Sequence, residues 1–501
     1  MSSYILAIDQ GTTSSRVLIY NEKFDVVGLA QEPFPQHFPK PDWVEHNLEE
    51  VWASVKAALR GALEDAAQND GQFKAEKISG IGITNQRETF GLWDRETSEP
   101  VQNAIVWQCR RSAEICKKLR KSAVARKVAK DAGLVLDPYF SASKLLWSFE
   151  KNPQILKRAK AGELAFGTID TFLIWKLTNG KTHATDVTNA SRTLLFDISK
   201  MKWNPSALKL FKCPPSLLPE VLASDGNFGV TEGIAGLPNG IPIRGVIGDQ
   251  QAALLGQGCT QSGQAKITYG TGSFMVFNSG NKIRRSKNGL TTVAWKIRGK
   301  TTYALEGSVF VAGALVQWLR DQLQMIESSR DIETLARTVE SSEGCYVIPS
   351  LTGLGSPYWV PEARGLIGGL TRKISKAHIA RAALEGIALS IADVCQALAK
   401  DLGVKLKSIH VDGGASGNNL LMQNQADYLG IRVLRPIDRE STVRGAAYAA
   451  SFGLGQRKNL DELHSLNKTD AEFAPNGISE RERKAALELF RRRIKALIAS
   501  I

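Results

Sequence analysis

Residues Asp9-Gln10-Gly11-Thr12-Thr13-Ser14-Ser15 lie between two apolar runs, 5–8 and 17–20. Each run reads as a buried strand. A glycine turn carrying hydroxyls therefore joins two strands, and an acidic residue ends the first. Phosphate recognition uses those ingredients: a carboxylate for Mg²⁺, a glycine for close backbone approach, and hydroxyls for phosphate oxygens. Taken alone the stretch is equally an ordinary hairpin turn, since short motifs match by chance.

A second stretch says nearly the same thing. Lys266 to Phe277 contains two β-prone runs joined by Gly270-Thr271-Gly272, a second hairpin with a hydroxyl at its tip. Further on, 409–419 runs from a strand into Asp412-Gly413-Gly414, with a helix starting at about Asn419. Glycines there would let the backbone touch a base or a phosphate, and the helix start would donate N–H groups. Its plain reading is a strand-to-helix turn. Two similar lobes with a phosphate turn each would clamp one nucleotide between them.

The rest of the chain alternates in the same way. Strands are expected at 78–84, 164–168, 243–247 and 408–412. Helices are expected at 308–323, 377–398, 419–429 and 443–451, and one begins at Asn47 with Glu50 as its reciprocal capping-box partner. Alternating strands and helices point to an α/β fold with parallel or mixed sheets. At 501 residues the chain is too long for one core. A division into lobes 1–255 and 256–501 is expected, with a hinge in place of a tether.

Composition removes several alternatives. No basic-then-apolar leader opens the chain, and no uninterrupted apolar stretch approaches the roughly 20 residues of a bilayer span. The six cysteines are scattered without a C-x-x-C pair, which suits reduced, buried thiols in a cytoplasmic protein. No histidine spacing suggests zinc. The formal charge of +14 is spread along the chain. Its densest cluster, Arg491 to Lys495, lies on an amphipathic terminal helix whose buried stripe is Leu487, Phe490, Ile494 and Leu497. No interleaved basic-aromatic motif supports nucleic-acid binding.

Ordinary nucleotide motifs are missing. Gly180-Lys181-Thr182 and Gly299-Lys300-Thr301 lack the upstream glycine of a P-loop, and no G-x-G-x-x-G occurs. Polar clusters end other strands instead. Asn85-Gln86-Arg87-Glu88 places a donor fork beside an acceptor, as a polyhydroxyl substrate requires. Its plain reading is a surface ion pair. Trp107 could stack on a carbon skeleton or simply pack in the core. Asp249 ends a strand before a helix. It could cap that helix or take a proton from an attacking hydroxyl.

Together the motifs resemble the sugar-kinase family whose fold is shared with actin, hexokinase and the Hsp70 ATPase domain. The matching blocks are DQGTTSSR (9–16), GITNQRET (82–89), NAIVWQCRR (103–111), DPYFS (137–141), TNASRTLLF (188–196), GDQQAAL (248–254), TYGTGSF (268–274), YALEGSVFVAG (303–313), LTGLGSPYW (351–359) and VDGGASGNN (411–419). They run in order over nearly the whole chain. The combination NQRE, WQCRR, DPYF and GDQQ is particular to the branch that phosphorylates glycerol.

The resemblance implies two actin-like (ribonuclease H-like) lobes with an ATP cleft between them. It implies MgATP-dependent phosphorylation of glycerol to sn-glycerol 3-phosphate, and a homodimer or higher homo-oligomer. Asp9 would hold Mg²⁺. Thr12, Thr13, Ser14 and Arg16 would meet the phosphates, as would Thr271 and Gly313. Gln317, Gly414 and Asn418 would meet the nucleoside. Arg87, Glu88, Tyr139, Asp249 and Gln250 would bind the glycerol hydroxyls, with Trp107, Phe274 and Thr12 beside them. Asp249 would be the general base, and the helix-cap reading is set aside. Some bacterial members bind an inhibitory sugar bisphosphate at a Gly-Gly-Lys-Gly-Gly-like loop. Here 234–240 reads Ile-Ala-Gly-Leu-Pro-Asn-Gly, so the resemblance does not extend to that regulation. The alternatives are a kinase for another polyol or ketose, and a nucleotide-gated binding protein without transfer activity.

Overall fold

The apolar runs flanking Asp9 pair with each other. β1 (Tyr4–Gln10) and β2 (Ser14–Tyr20) form an antiparallel hairpin, with Asp9 opposite Arg16 and Gln10 opposite Ser15. β3 (Val26–Pro33) extends it, while β4 (Ile78–Asn85) runs parallel to β1 and β5 (Ile243–Gly248) parallel to β4. The order is β5-β4-β1-β2-β3. Near-continuous apolar strands suit a sheet covered on both faces. The structure is a computed structural model that describes residues 3–438 and 440–501.

Two units make up the chain. The first comprises residues 1–256, 291–303 and 441–466; the second comprises 257–290, 304–440 and 467–501. A single break at 255/256 therefore does not capture the division, because two later stretches return to the first unit. The reason for the second return is packing: α8 (Ser441–Gly453) covers β1, β4, β5 and α3 (Asp249–Gly256). The first return includes Arg298 and Gly299, both at positive φ. Gly299-Lys300-Thr301 thus belongs to a hairpin turn and not to a P-loop.

In the second unit β6 (Ala265–Tyr269) and β7 (Ser273–Gly280) repeat the opening hairpin, with Thr268 opposite Phe274. β8 (Lys300–Val309) lies beside β7, and β9 (Ser408–Asp412) runs parallel to β6. The strand Leu290–Ile297 lies outside β8, and β10 (Arg432–Pro436) and β11 (Thr469–Phe473) follow β9 on the other side. The five strands β8-β7-β6-β9-β10 match the order β3-β2-β1-β4-β5 of the first sheet, and the second sheet adds a strand at each edge. The repetition visible in the two hairpins thus extends through five strands.

The helices follow the apolar pattern with two corrections. α1 (Leu48–Asn69) is capped by Asn47, whose side chain accepts from the Glu49 N–H. Glu50 does not complete a capping box; it meets His37 Nε2 at 2.7 Å instead. The helix expected at 308–323 is strand as far as Val309, and α4 starts only at Gly313 (Gly313–Asp321). Ser308, Val309 and Phe310 are β-prone residues continuing a buried strand, and periodicity cannot separate that from a buried helix. α2 (Ser141–Lys151), α5 (Asp331–Ala336), α6 (Lys376–Leu402), α7 (Asn419–Leu429) and α9 (Glu480–Ala499) complete the set used below.

α6 is long and apolar enough to cross a membrane by length and composition. It is the core helix of the second unit: Leu384, Ile387, Ile391 and Leu398 pack on β6 and β9 residues such as Ile267 and Val411. On α9, Leu487, Phe490 and Ile494 are buried, and Leu497 packs beside them. All six cysteines are free and buried.

Candidate active site

The first phosphate turn is built by backbone and amide bonds. Gly11 N–H donates to Ser14 O at 2.9 Å, closing the turn between β1 and β2. Its carbonyl accepts from Gln10 Nε2 at 2.7 Å and Gln86 Nε2 at 3.0 Å. Gln86 in turn accepts from Thr89 Oγ1 at 2.9 Å, and Thr89 accepts from the Trp107 backbone N–H at 3.1 Å. The indole Nε1–H of Trp107 then donates to Thr12 Oγ1 at 3.0 Å. A closed ring of hydrogen bonds thus ties the DQGTT turn to the NQRET and WQCRR segments. Thr12 keeps its own O–H to donate, and Thr13 is exposed. Ser14 and Arg16 are held sideways by Gln31, each at 2.7 Å.

Arg87 and Glu88 are not a surface pair; both are 2% exposed. Arg87 spreads over three partners. Its Nε lies 3.0 Å from Asp249 Oδ1, its NH1 donates to Gln251 Oε1 at 3.0 Å, and its NH2 approaches Tyr139 OH at 3.5 Å. Glycine at 248 is what lets Arg87 pass: a Cβ there would lie 2.9 Å from Arg87 Cγ and Cδ. Glu88 has φ 62°, a left-handed conformation that turns it away from β4. Its Oε1 accepts from Arg192 Nε at 2.6 Å. The fully buried Arg192 guanidinium also sits 5.7 Å from the Tyr139 ring and 5.4 Å from the Phe140 ring. Trp107 is half-buried, edge-on to Tyr139 with centroids 5.7 Å apart. Arg87, Glu88, Trp107, Tyr139, Asp249 and Gln250 all lie in the first unit, and Phe274 lies on β7 in the second.

Asp249 corrects one sequence expectation. It opens α3, and its Oδ1 accepts from the Gln250 N–H at 2.6 Å, so it does bind its own helix start. The same oxygen takes Arg87. Oδ2 has no hydrogen-bond partner among the described residues, and the side chain is 28% exposed. One oxygen fixes the carboxylate, and the other has no protein donor among the described residues.

Behind Asp249 stands a buried polar layer. Thr188 Oγ1 accepts from the Gly248 N–H at 2.8 Å and donates to Asp186 Oδ1 at 2.7 Å. Asp170 nearby is fully buried and bonded to Thr168 and Thr185 hydroxyls. Burial first, then the Asp186 charge, push its carboxyl up to about 7.

The second unit holds a cavity of about 770 Å³. Its lining includes Thr271, Gly313, Gln317, Gly414 and Asn418, all five residues expected there. The Gly270–Gly272 turn is docked on the start of α4: Gly313 N–H donates to Gly270 O at 3.0 Å, and Ala314 N–H to Thr271 O at 3.0 Å. A Cβ at 313 would lie 2.6 Å from the Gly270 carbonyl oxygen, so only glycine fits. The start of α7 departs from expectation. Its first N–H groups are already used: Asn419 and Leu420 donate to Glu333 at 3.0 and 3.1 Å, and Leu421 donates to Asn418 Oδ1 at 2.8 Å. That helix start is capped by protein, so its N–H groups are not the ligand's donors.

Asp9 is half-buried at the end of β1, directly before the hydroxyl-bearing turn. Among the described residues no group of three or more His, Cys, Asp or Glu forms a metal cage. One carboxylate completed by substrate phosphates and water is how Mg²⁺ is usually held, and Asp9 fits that donor set.

Two family models match consecutive stretches of the chain, so 291–303 and 441–454, which pack with the first unit, fall within the C-terminal match. The model described as the FGGY family of carbohydrate kinases, N-terminal domain, matches residues 4–256, and its C-terminal counterpart matches 265–454. The chain belongs to the FGGY family of carbohydrate kinases. It is similar to the glycerol kinase of Bdellovibrio bacteriovorus, 52% identical over 475 residues, covering 94% of this chain and 95% of that one. It is 48% identical over 494 residues to the glycerol kinase of Listeria monocytogenes, covering 98% of both. Among solved structures, Plasmodium falciparum glycerol kinase with ADP superposes with a TM-score of 0.90 at 34% identity, covering 99% of this chain and 98% of that one. Lactobacillus acidophilus gluconate kinase, at 23% identity and TM-score 0.86, covers 100% of this chain and 99% of that one and shares the fold.

For an FGGY kinase, several side chains that build the site escaped the sequence reading. Gln86, Thr89, Arg192 and Gln251 lie inside the quoted motif blocks, so the blocks carried them without their roles. Lys144 lies just outside one. Its only signal is a lysine opening the apolar run Leu145-Leu146-Trp147 on a helix.

Proposed function

We propose that this kinase transfers the γ-phosphoryl group of ATP to a terminal hydroxyl of glycerol, giving sn-glycerol 3-phosphate and ADP. The observation that carries the reading is the junction of Arg87, Tyr139 and Asp249, a short polar array that suits a small polyol. Arg87 and Tyr139 orient the hydroxyls. Asp249 Oδ2 takes the proton of the attacking hydroxyl as its oxygen bonds to the γ-phosphorus and the bond to the β-phosphate oxygen breaks. Phosphoryl transfer needs little covalent help, so positioning and charge neutralisation supply most of the rate. Asp9 would hold Mg²⁺, which neutralises phosphate charge when bound. The Thr12 and Thr13 hydroxyls and Arg16 serve the phosphates in the first unit, and the cavity lined by Thr271, Gly313, Gln317, Gly414 and Asn418 takes the nucleotide in the second. Six buried free thiols suit a reducing compartment such as the cytoplasm.

The test is a coupled ADP-release assay with and without glycerol, followed by a panel of polyols and ketoses. ADP release is expected to depend on glycerol and to be fastest with it. Release that ignores glycerol, or a clear preference for a ketose, would overturn the reading.

A further inference from the structure

The first turn of α2 touches the segments that carry Glu88, Trp107, Tyr139 and Arg192 in the first unit. Ser141 Oγ donates to Glu88 O at 2.8 Å, the carbonyl of the residue held at φ 62°. The Ala142 N–H donates to Thr193 O at 2.9 Å, one residue past Arg192. Ser143 Oγ meets Ser112 Oγ at 2.9 Å, behind the WQCRR segment. Lys144 Nζ donates to Val106 O and Tyr139 O, both at 3.1 Å. Val106 immediately precedes Trp107. Four consecutive residues thus clamp Glu88, Arg192, Trp107 and Tyr139 through backbone or neighbouring groups.

Lys144 is the costly member. It is fully buried, and among the described residues its acceptors are two neutral carbonyls and no carboxylate. Removing an ammonium from water costs several kcal/mol unless it is paired. Burial accordingly pushes the amine down to about 8, and the charges of Cys109 and Glu88 only partly oppose this. A methionine would fill the same slot without that penalty, at the cost of one donor to Tyr139 O, while Val106 O keeps the Cys109 N–H at 3.0 Å. Stability therefore does not account for a lysine here, whereas order does. A single Nζ fixes the spacing between the Trp107 segment and the Tyr139 segment.

We propose that Lys144, at the centre of the α2 first turn, is a positioning residue that sets the width of the acceptor wall between Trp107 and Tyr139 and so tunes the enzyme for a three-carbon polyol. This rests on the reading of Trp107 and Tyr139 as that wall. It predicts an unusual pair of effects. Lys144→Met should keep or gain thermal stability yet raise the KM for glycerol about tenfold or more, because displacements near 1 Å at a reacting site cost up to about a hundredfold. The KM for ATP should stay near the wild-type value. Longer polyols should lose less than glycerol does.

Steady-state kinetics and thermal unfolding of the K144M enzyme, beside wild type and D249N, test this. An unchanged glycerol KM in K144M, or a lower Tm with both KM values raised, overturns the proposal and leaves Lys144 a structural residue. If D249N keeps near-full turnover, the underlying glycerol-site reading fails instead. Should K144M not fold, K144Q keeps a neutral donor in the same slot and carries the same test. It should raise glycerol KM selectively, and an unchanged KM there overturns the proposal.

Discussion

Arg87 Nε and Asp249 Oδ1 stand 3.0 Å apart, and that contact fixes which oxygen of Asp249 can react. Oδ1 is filled by the guanidinium and by the Gln250 N–H, so in the proposed reaction Oδ2 is the oxygen that takes the proton. Arg87 is itself held by Gln251, and the missing Cβ of Gly248 gives it room. Asp249 and Arg87, the proposed base and substrate fork, therefore hold each other in place.

Asp249→Asn should separate chemistry from architecture. The amide oxygen still accepts from Arg87 and Gln250, so the fold and glycerol binding survive. Only the proton acceptor is lost. Turnover should fall by roughly two to four powers of ten, the usual worth of a general base. Steady-state kinetics at saturating ATP and glycerol checks this, and near-full turnover would refute the role.

Gly313→Ala addresses the other unit. The new Cβ would meet the Gly270 carbonyl oxygen at 2.6 Å, backbone against backbone, so the phosphate turn must move. Overpacking of this kind costs about 1–3 kcal/mol. The KM for ATP should rise about tenfold, since 1.4 kcal/mol is one decade of affinity, and glycerol KM should hold. An unchanged ATP KM would show that Thr271 and Gly313 do not touch the nucleotide.

Much of this was legible before any coordinates. Strand runs flanking Asp9 and Thr271 are apolar and punctuated by glycine, so both hairpins could be read directly. The exact membership of each unit could not. Residues 291–303 and 441–466 return to the first unit by long-range packing, which leaves no local mark on composition. Gln86, Thr89 and Gln251 were illegible for a related reason. Each works by orienting another side chain, and a sequence shows residue types but not who donates to whom. Glu333 is the plainest case: nothing near it announces that it caps a helix starting at Asn419.

Asp170 gives a pH prediction with a definite sign. Its folded carboxyl is raised to about 7 by burial and by Asp186, against 3.8 when free. Between those values the folded state holds a proton that the unfolded state has released. Stability from this group is thus fully present below about 3.8 and is lost as pH rises towards 7. Asp170→Asn carries no titration, so the difference in Tm between variant and wild type should shift in the variant's favour across that window. A difference that is flat with pH would mean that Asp170 is already ionised in the folded protein.

Glu333 supplies the last prediction. Its carboxylate accepts from the first two N–H groups of α7 and is bonded in turn by Arg337 at 2.7 Å. Asn418, on the cavity wall, accepts the third. Glu333→Ala would strand two helix N–H groups and loosen the wall at Gly417 and Asn418, at a cost of about 0.5–2 kcal/mol for a lost cap. Glu333→Gln keeps an amide oxygen as acceptor and should fall between. The KM for ATP is expected to rise several-fold in E333A and less in E333Q, while the KM for glycerol stays put. Equal ATP KM values in E333A and wild type would mean that the cap stabilises α7 without shaping the cavity.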